Sequence, residues 1–401
     1  MGKRILFVDD EANVLEGLRN LLRKQRKQWE MCFAVGAEAA LGELANARFD
    51  VIVTDMRMPG MDGAALLQRV KELYPGVARL ILSGYADRDA VVRALSVAHQ
   101  YLSKPCDTDV LREAIERTCA LQALLDDEVI RRVVGEMDTL PSVPRIYGEL
   151  TRAVASPQMG AADIARIVET DPAMSVKVLQ LANSAYFGAA QKKLTVTSAV
   201  AYLGVELLKA LALTAQVFAA LEGSPVPGFS LERVQRTSLL SARLAKLFVR
   251  ERARGEEAFT AALVQDIGQV VLALGLPERY GEAIRLAGAS GRPVHVVEKE
   301  VLGVTHCEVG GYLLGVWGLP FSIVEVVANH HEPEPGSPSS REVLAVVHVA
   351  SALSAEACLD ASQHVPFPVD LRYLERAGLA AELPRWRAAA AEDIQRHGSG
   401  A

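Results

Sequence analysis

The stretch VIVTDMRMPGMDG, Val51 to Gly63, runs as β-branched residues into an acid, Asp55, and then into proline, glycine and aspartate turn formers. A buried strand that ends in a carboxylate delivers chemistry to its tip. Three other short apolar runs end alike: RILFVD in Asp9 with Asp10 following, ARLILS in Ser83, and QYLSK in Lys104 before Pro105. Three carboxylates gathered at one edge repel one another, so they call for a hard divalent cation with oxygen ligands, and Mg2+ is the ready candidate. Such a cation, an ammonium and a hydroxyl can together hold a phosphoryl group in transfer. Taken singly, each residue has a plainer reading: Asp9 or Asp10 as a helix N-cap, Ser83 as a turn residue, Lys104 as a solvated cation. At four successive strand ends the plain readings lose to the joint one.

The elements that must position these groups are legible up to about residue 120. The runs RILFVD, MCFAV, DVIVTD, ARLILS and QYLSK alternate with amphipathic segments such as ANVLEGLRNLLRKQ, in which Val14, Leu18, Leu21 and Leu22 are expected to share one helical stripe. Strand and helix alternating in this way predict a doubly wound, five-stranded parallel sheet, an α/β fold whose functional groups lie beyond the carboxyl ends of its strands. The motifs FVDDE, TDMRMPGMDG, LSGYAD and YLSKP, in this order, resemble the receiver domain of two-component response regulators, with a flavodoxin-like sheet. The resemblance covers residues 3–121. It implies that Asp55 is phosphorylated by a histidine kinase, that Asp10, Asp55 and the Arg57 carbonyl ligate Mg2+, and that Asp9 assists through water. It further implies that Ser83 and Lys104 bind the phosphoryl oxygens, that Tyr101 switches rotamer with Ser83, and that the receiver can pair as a homodimer.

Residues 1–121 are thus expected to be the receiver. Residues 122–137 continue a helical pattern as a connector, expected to act as a lever if the helix from Asp107 to Met137 is unbroken. A boundary follows at DTLPSVP, where Pro141 and Pro144 stop the helix. Residues 138–355 read as all-α, with Asp171 as an N-cap, Pro172 at the first helical position and Met174, Val178, Leu181 and Ala185 as an apolar stripe. Residues 356–401 read as a loop and a final helix. LPSVP, VETDPAMSVKVLQLANSAYFG, AVAYLGVELLKALAL, ALVQDIGQVVL, THCEVGGYLLGVWGLP and VANHHE resemble the HDOD family, a branch of the HD-domain proteins.

Catalytic HD domains hold divalent ions with an early histidine, a His-Asp doublet and a later aspartate. At those places this chain carries Thr237, Gln265-Asp266 and Ser351, a single carboxylate among neutral groups that hold a divalent ion poorly. No cofactor is therefore expected in this domain. His306, His330 and His331 remain as a possible residual metal site, against the commoner reading of histidines packed on helices. The cyclic-dinucleotide phosphodiesterase pattern stops at the HH pair, where the sequence continues HHEPEPGSPSSRE.

The chain is 50% apolar and 23% charged with a formal net charge of -6, which argues against nucleic acid as the main ligand. Cys32, Cys106, Cys119, Cys307 and Cys358 show no metal-ligand spacing and read as small buried hydrophobes of a reducing compartment. The N-terminus lacks the apolar core of a signal peptide, and Leu207 to Leu221 is too short and too interrupted to span a bilayer, so a cytoplasmic protein with no membrane partner is expected. The function expected is a response regulator whose HDOD output binds another, unidentified protein. The alternative is a metal-dependent phosphohydrolase or cyclic-dinucleotide phosphodiesterase under receiver control.

Overall fold

Every residue of the first strand from Ile5 to Val8 is buried, because the strand is covered on both faces and so carries a continuous apolar run. The computed structural model describes residues 3–84, 97–104, 106–124, 128–137, 140–142, 144–156, 158–183, 195–205, 208, 219–220, 226–334, 340–358 and 366–397. It divides into two units, the first mainly Met1–Thr139 and the second mainly Leu140–Ala401.

In the first unit, β1 (Lys3–Asp9), α1 (Ala12–Leu21), β2 (Trp29–Val35), α2 (Ala37–Asn46), β3 (Val51–Asp55), α3 (Gly63–Leu73), β4 (Ala78–Gly84) and β5 (Gln100–Lys104) precede α4 (Thr108–Leu124) and α5 (Glu128–Glu136). The sheet order is β2-β1-β3-β4-β5 and every pairing is parallel, as the alternation predicted. The order reverses at β1, so a crevice opens between the carboxyl ends of β1 and β3. The stripe expected on α1 needs correction. Leu15 and Leu22 are buried with Leu18 packed beside them, while Leu21 is 60% exposed. Residues 15, 18 and 22 follow the three-then-four spacing of one helical face, and Leu21 falls off it.

The connector also differs from the expected lever. Residues 125–127 lie outside the described residues, and the helix beyond them, α5, lies on the sheet. Ile130, Val133 and Val134 are buried, and the backbone at Gly135 comes so close to Pro75 that a Cβ there would sit 1.8 Å from the Pro75 carbonyl oxygen. The fully buried guanidinium of Arg79, at the start of β4, donates to the carbonyl oxygens of Gly135 at 2.7 Å and Val97 at 2.6 Å and lies 2.9 Å from His99 Nε2. A buried cation must be met by acceptors, and a connector carbonyl is one of them.

The second unit opens with a two-residue strand pair, β6 (Pro141–Ser142) and β7 (Ala219–Ala220). Its helices are α6 (Pro144–Ala155), α7 (Ala161–Val168), α8 (Pro172–Asn183), α9 (Val196–Leu203), α10 (Leu231–Phe248), α11 (Arg252–Val264), α12 (Ile267–Gly275), α13 (Pro277–Ser290), α14 (Val294–Leu302), α15 (His306–Val316), α16 (Phe321–Asn329), α17 (Arg341–Ala357), α18 (Leu371–Ala377) and α19 (Leu383–His397). Asp171 caps α8 by accepting from the Met174 amide at 2.9 Å, with Pro172 at the first helical position. The stripe predicted on α8 is instead buried all round: Lys177 and Gln180 are as enclosed as Met174 and Val178, and Ala185 lies outside the described residues. The final helix packs firmly, with Trp386 stacked on Phe248 and Asp393 paired with Arg243 at 2.8 Å. Most of the apolar stretch from Leu207 to Leu221 lies outside the described residues. Among the described residues one stretch, Arg252–Gly275, is long and apolar enough to cross a membrane, and 78% of its most apolar window is buried inside the fold.

Gly135→Ala is expected to release α5 from the sheet, because the added carbon cannot share space with Pro75. Amide exchange over residues 128–136 then accelerates while the β-sheet stays protected. Unchanged protection of α5 would remove Arg79 and Gly135 as the docking point.

Candidate functional site

The first site stands at the crevice between β1 and β3. Asp9 ends β1 and Asp55 ends β3, both buried, and Lys104 ends β5 and reaches both: its Nζ is 2.9 Å from Asp9 Oδ2 and pairs with Asp55 Oδ1. The remaining carboxylate oxygens are fixed by backbone amides, Asp9 Oδ1 by Glu11 at 3.0 Å and Asp55 Oδ2 by Arg57 at 2.6 Å. Burial works against the Lys104 ammonium, yet its hydrogen bonds to Asp55 and Asp9 hold its pKa above the ordinary lysine value. Asp10 follows at the same edge and is exposed, as is Arg57.

The loop after Asp55 explains the glycine and aspartate of VIVTDMRMPGMDG. Gly63 donates to the Met56 carbonyl at 2.9 Å, and a Cβ at Gly63 would lie 2.1 Å from the Asp55 carbonyl oxygen. Asp62 then caps α3 through the Ala65 amide at 2.8 Å. The chain turns back on itself within one loop, leaving the Asp55 carboxylate at the rim.

The structure therefore brings Asp9, Asp55 and Lys104 together as expected. Ser83 lies in β4 opposite Ser103, and its side chain is outside the described residues, as are Pro105 and residues 85–96. Tyr101 is turned inward, 2% exposed, with its hydroxyl donating to the Ala98 carbonyl at 3.1 Å. Burial pushes its phenol well above the ordinary value. The donor set at this edge, three acids against one ammonium, suits a hard cation such as Mg2+.

The second site lies in the helical unit. Thr237, Asp266 and Ser351 border one cavity of about 80 Å³ with His295, His331 and Phe367. The residues expected from the sequence at degenerate HD positions thus do lie together here. Gln265 Nε2 donates to Ser351 Oγ at 3.0 Å and to Asp266 Oδ2 at 3.2 Å, so an amide and a hydroxyl satisfy each other where a catalytic site would place imidazole and carboxylate.

Beside this network, His306, His330 and His331 gather around Asp266. His306 Nε2 is 3.3 Å from Asp266 Oδ1 and 3.1 Å from His331 Nε2, and His330 Nε2 is 3.8 Å from Asp266 Oδ1. Cys307 Sγ is 3.9 Å from His330 Nε2. Glu298, fully buried, accepts both the backbone amide of His306 at 2.8 Å and its Nδ1 at 2.7 Å. Burial opposes ionisation of Asp266, yet hydrogen bonding from His306 and the neighbouring charges of His330 and His306 hold its carboxyl well below the usual range. Burial and the charges of His306 and His330 push His295 down to about 3.

Small residues make this convergence possible. A Cβ at Gly268 would lie 1.9 Å from the His306 carbonyl oxygen, and one at Gly311 would lie 2.8 Å from Ala328 Cβ. Helices α12, α15 and α16 therefore approach at backbone distance and bring Asp266, His306 and His330 together. Sequence reasoning singled out the three histidines and Asp266. It missed Glu298, His295, His348 and Cys307. His295 and Glu298 stand three apart in HVVEK, a signal only of a shared helix face.

Sheet order and acidic edge together give the first unit the architecture of the receiver class. Comparison with known proteins agrees: residues 5–116 match the response regulator receiver domain and residues 140–333 the HDOD domain. The chain accordingly carries a response regulator receiver domain followed by an HDOD domain. The DNA-binding transcriptional regulator NtrC of Escherichia coli (strain K12) is 37% identical over 134 residues, covering 31% of this chain and 28% of that protein. The MmoQ response regulator from Methylococcus capsulatus str. Bath aligns at 24% identity over 62% of this chain and 98% of its own, with a TM-score of 0.48. A virulence factor from Campylobacter jejuni subsp. jejuni shares the fold with a TM-score of 0.52 at 18% identity, over 66% of this chain and 97% of its own. The first curated relatives are spanned over between 24% and 44% of their own length.

Gly268→Ala is expected to lower stability by about 1–3 kcal/mol or more, since backbone rather than a flexible side chain blocks the added carbon. Urea unfolding of the helical unit measures it. A cost within a few tenths of a kcal/mol would mean that α12 and α15 have room to part.

Proposed function

We propose that Asp55 accepts a phosphoryl group from the phosphohistidine of a histidine kinase, and that the HDOD domain passes the resulting state on by binding another protein. The observation that carries the first half is Lys104 joining Asp9 and Asp55 at the crevice of the sheet. An Asp55 carboxylate oxygen attacks phosphorus as the P–N bond to the donor imidazole breaks, leaving an acyl phosphate on Asp55 and a neutral imidazole on the kinase. Lys104 stays with the incoming charge, and Ser83 supplies a hydroxyl to the same oxygens. Receiver domains generally bind Mg2+ for this step. Asp10, Asp55 and the Arg57 carbonyl would hold it, with Asp9 through water, and it would neutralise the phosphoryl oxygens during transfer. Tyr101 would follow the position of Ser83.

The second half rests on the amide and hydroxyl network of Gln265 and Ser351, which supports an output that binds rather than hydrolyses. Histidine kinases present their phosphohistidine in the cytoplasm, and the regulator acts there. Neither a membrane nor nucleic acid is needed for this reading. Pairing of receivers and a change at the connector would carry the signal between domains.

Acetyl phosphate with Mg2+ is expected to add one phosphoryl mass to the full chain, at Asp55, and Asp55→Asn to remove it. Undiminished labelling of Asp55→Asn would overturn the assignment. The full chain is expected to turn over neither cyclic dinucleotides nor nucleotides, and Gln265→His alone should not confer activity. Metal-dependent turnover that is lost in His306→Ala would establish the phosphohydrolase instead. A pull-down comparing phosphorylated chain with Asp55→Asn identifies the output partner, and identical captures would sever output from the receiver.

A further inference from the structure

Around Asp266 the tautomers of two histidines are set by what their other nitrogens touch. His306 Nδ1 faces the Glu298 carboxylate at 2.7 Å and His330 Nδ1 faces the Val327 carbonyl at 2.8 Å. A carboxylate and a carbonyl only accept, so each Nδ1 carries the hydrogen, and in the neutral ring, the form that binds a metal, each Nε2 keeps a lone pair. In that form both lone pairs face Asp266 Oδ1 at 3.3 Å and 3.8 Å, an acceptor that takes one hydrogen from Gln269 Nε2 at 2.8 Å. His331 Nε2 adds a third imidazole nitrogen, 3.1 Å from His306 Nε2. Acceptors that converge in a buried space need a positive charge among them.

Two further atoms show the same deficit. Among the described residues, His331 Nδ1 and Glu298 Oε1 are buried with no hydrogen-bond partner. The buried acids Asp266 and Glu298 have only histidines as ion-pair partners. Cys307 completes the group: His306, Cys307, His330 and His331 each offer one ligand atom, all within 4.8 Å of one another. Tetrahedral zinc with bonds of 2.0–2.1 Å to nitrogen and 2.3 Å to sulfur sets its ligand atoms roughly 3.3–3.6 Å apart. The observed 3.1 Å between His306 and His331, and 3.9 Å between Cys307 and His330, bracket that spacing.

We infer that His306, Cys307, His330 and His331 form a closed zinc site that clips the start of α15 to the end of α16, with Asp266 and Glu298 balancing its charge. Three imidazoles and a thiolate select a borderline-soft ion over Mg2+ or Ca2+. Glu298 and the Val327 carbonyl act as the outer hydrogen bonds that orient ligating histidines. Three imidazoles and a thiolate fill the four tetrahedral positions, which leaves none for an attacking water. This is a structural ion, and it does not use the Thr237, Gln265 and Ser351 positions. The inference stands apart from the receiver chemistry.

The test uses the full chain purified from zinc-supplemented growth without chelator, and then the same chain reloaded with Co2+. Metal analysis is expected to find stoichiometric zinc, and chelation to lower the melting temperature. The cobalt form is expected to show intense tetrahedral visible bands together with a thiolate-to-metal band in the near ultraviolet. Cys307→Ser should lose the ultraviolet band and keep the visible ones, and His331→Gln should weaken both. A wild-type chain that is folded by circular dichroism yet takes up neither ion overturns the site. So does a cobalt spectrum of octahedral type or one without the thiolate band, and both readings use wild-type protein, so they survive an unstable variant.

Discussion

Buried carboxylates must be met by charge, and that requirement organises the receiver from one lysine. Asp9 and Asp55 sit at the ends of adjacent strands with little water around them, where their repulsion would be at its strongest. Lys104 comes from the far strand of the sheet to stand between them. Its reach links β1, β3 and β5 at one edge, so the strand order, the parallel pairing and the loop that folds back through Gly63 all serve a single cluster of charge. The same excess of negative charge that makes the edge costly to bury makes it receptive to a cation.

The helical domain meets the same requirement with different residues. Asp266 and Glu298 are buried among imidazoles, and no lysine or arginine is paired with either among the described residues. Next to them the Gln265 amide nitrogen gives its two hydrogens to Ser351 and Asp266, while its buried oxygen has no hydrogen-bond partner among the described residues. The two networks meet at Asp266, and each leaves a buried polar atom without a partner among the described residues.

Much of this was legible in the sequence because strand ends are easy to count. The five strands, their parallel sense, and the meeting of Asp9, Asp55 and Lys104 follow from runs that stop at a polar residue. The cap at Asp171 was likewise readable from a local pair, Asp-Pro. Other features required distances that no local pattern carries. Leu15 and Leu21 are both apolar on α1, and only the packed face separates them. Arg79 sits inside a run that reads as an ordinary strand, although its charge is fully buried. Cys307 lacks any ligand spacing in sequence, because its neighbours His330 and His331 arrive by way of another helix. Lys177 reads as the polar side of an amphipathic helix until α8 is seen to be covered all round, where burial brings its amine down to about 7.

The Arg79 guanidinium has a consequence for where this protein can be cut. A fragment ending near residue 121 would keep Arg79 and lose the Gly135 carbonyl that receives it. It would also uncover whatever Ile130, Val133 and Val134 now shield. The compact unit that holds the sheet runs through α5, and a chimera that grafts this receiver onto a different output should carry residues up to about 137 along with it. In modular terms, the segment that looks like a spacer belongs to the input half.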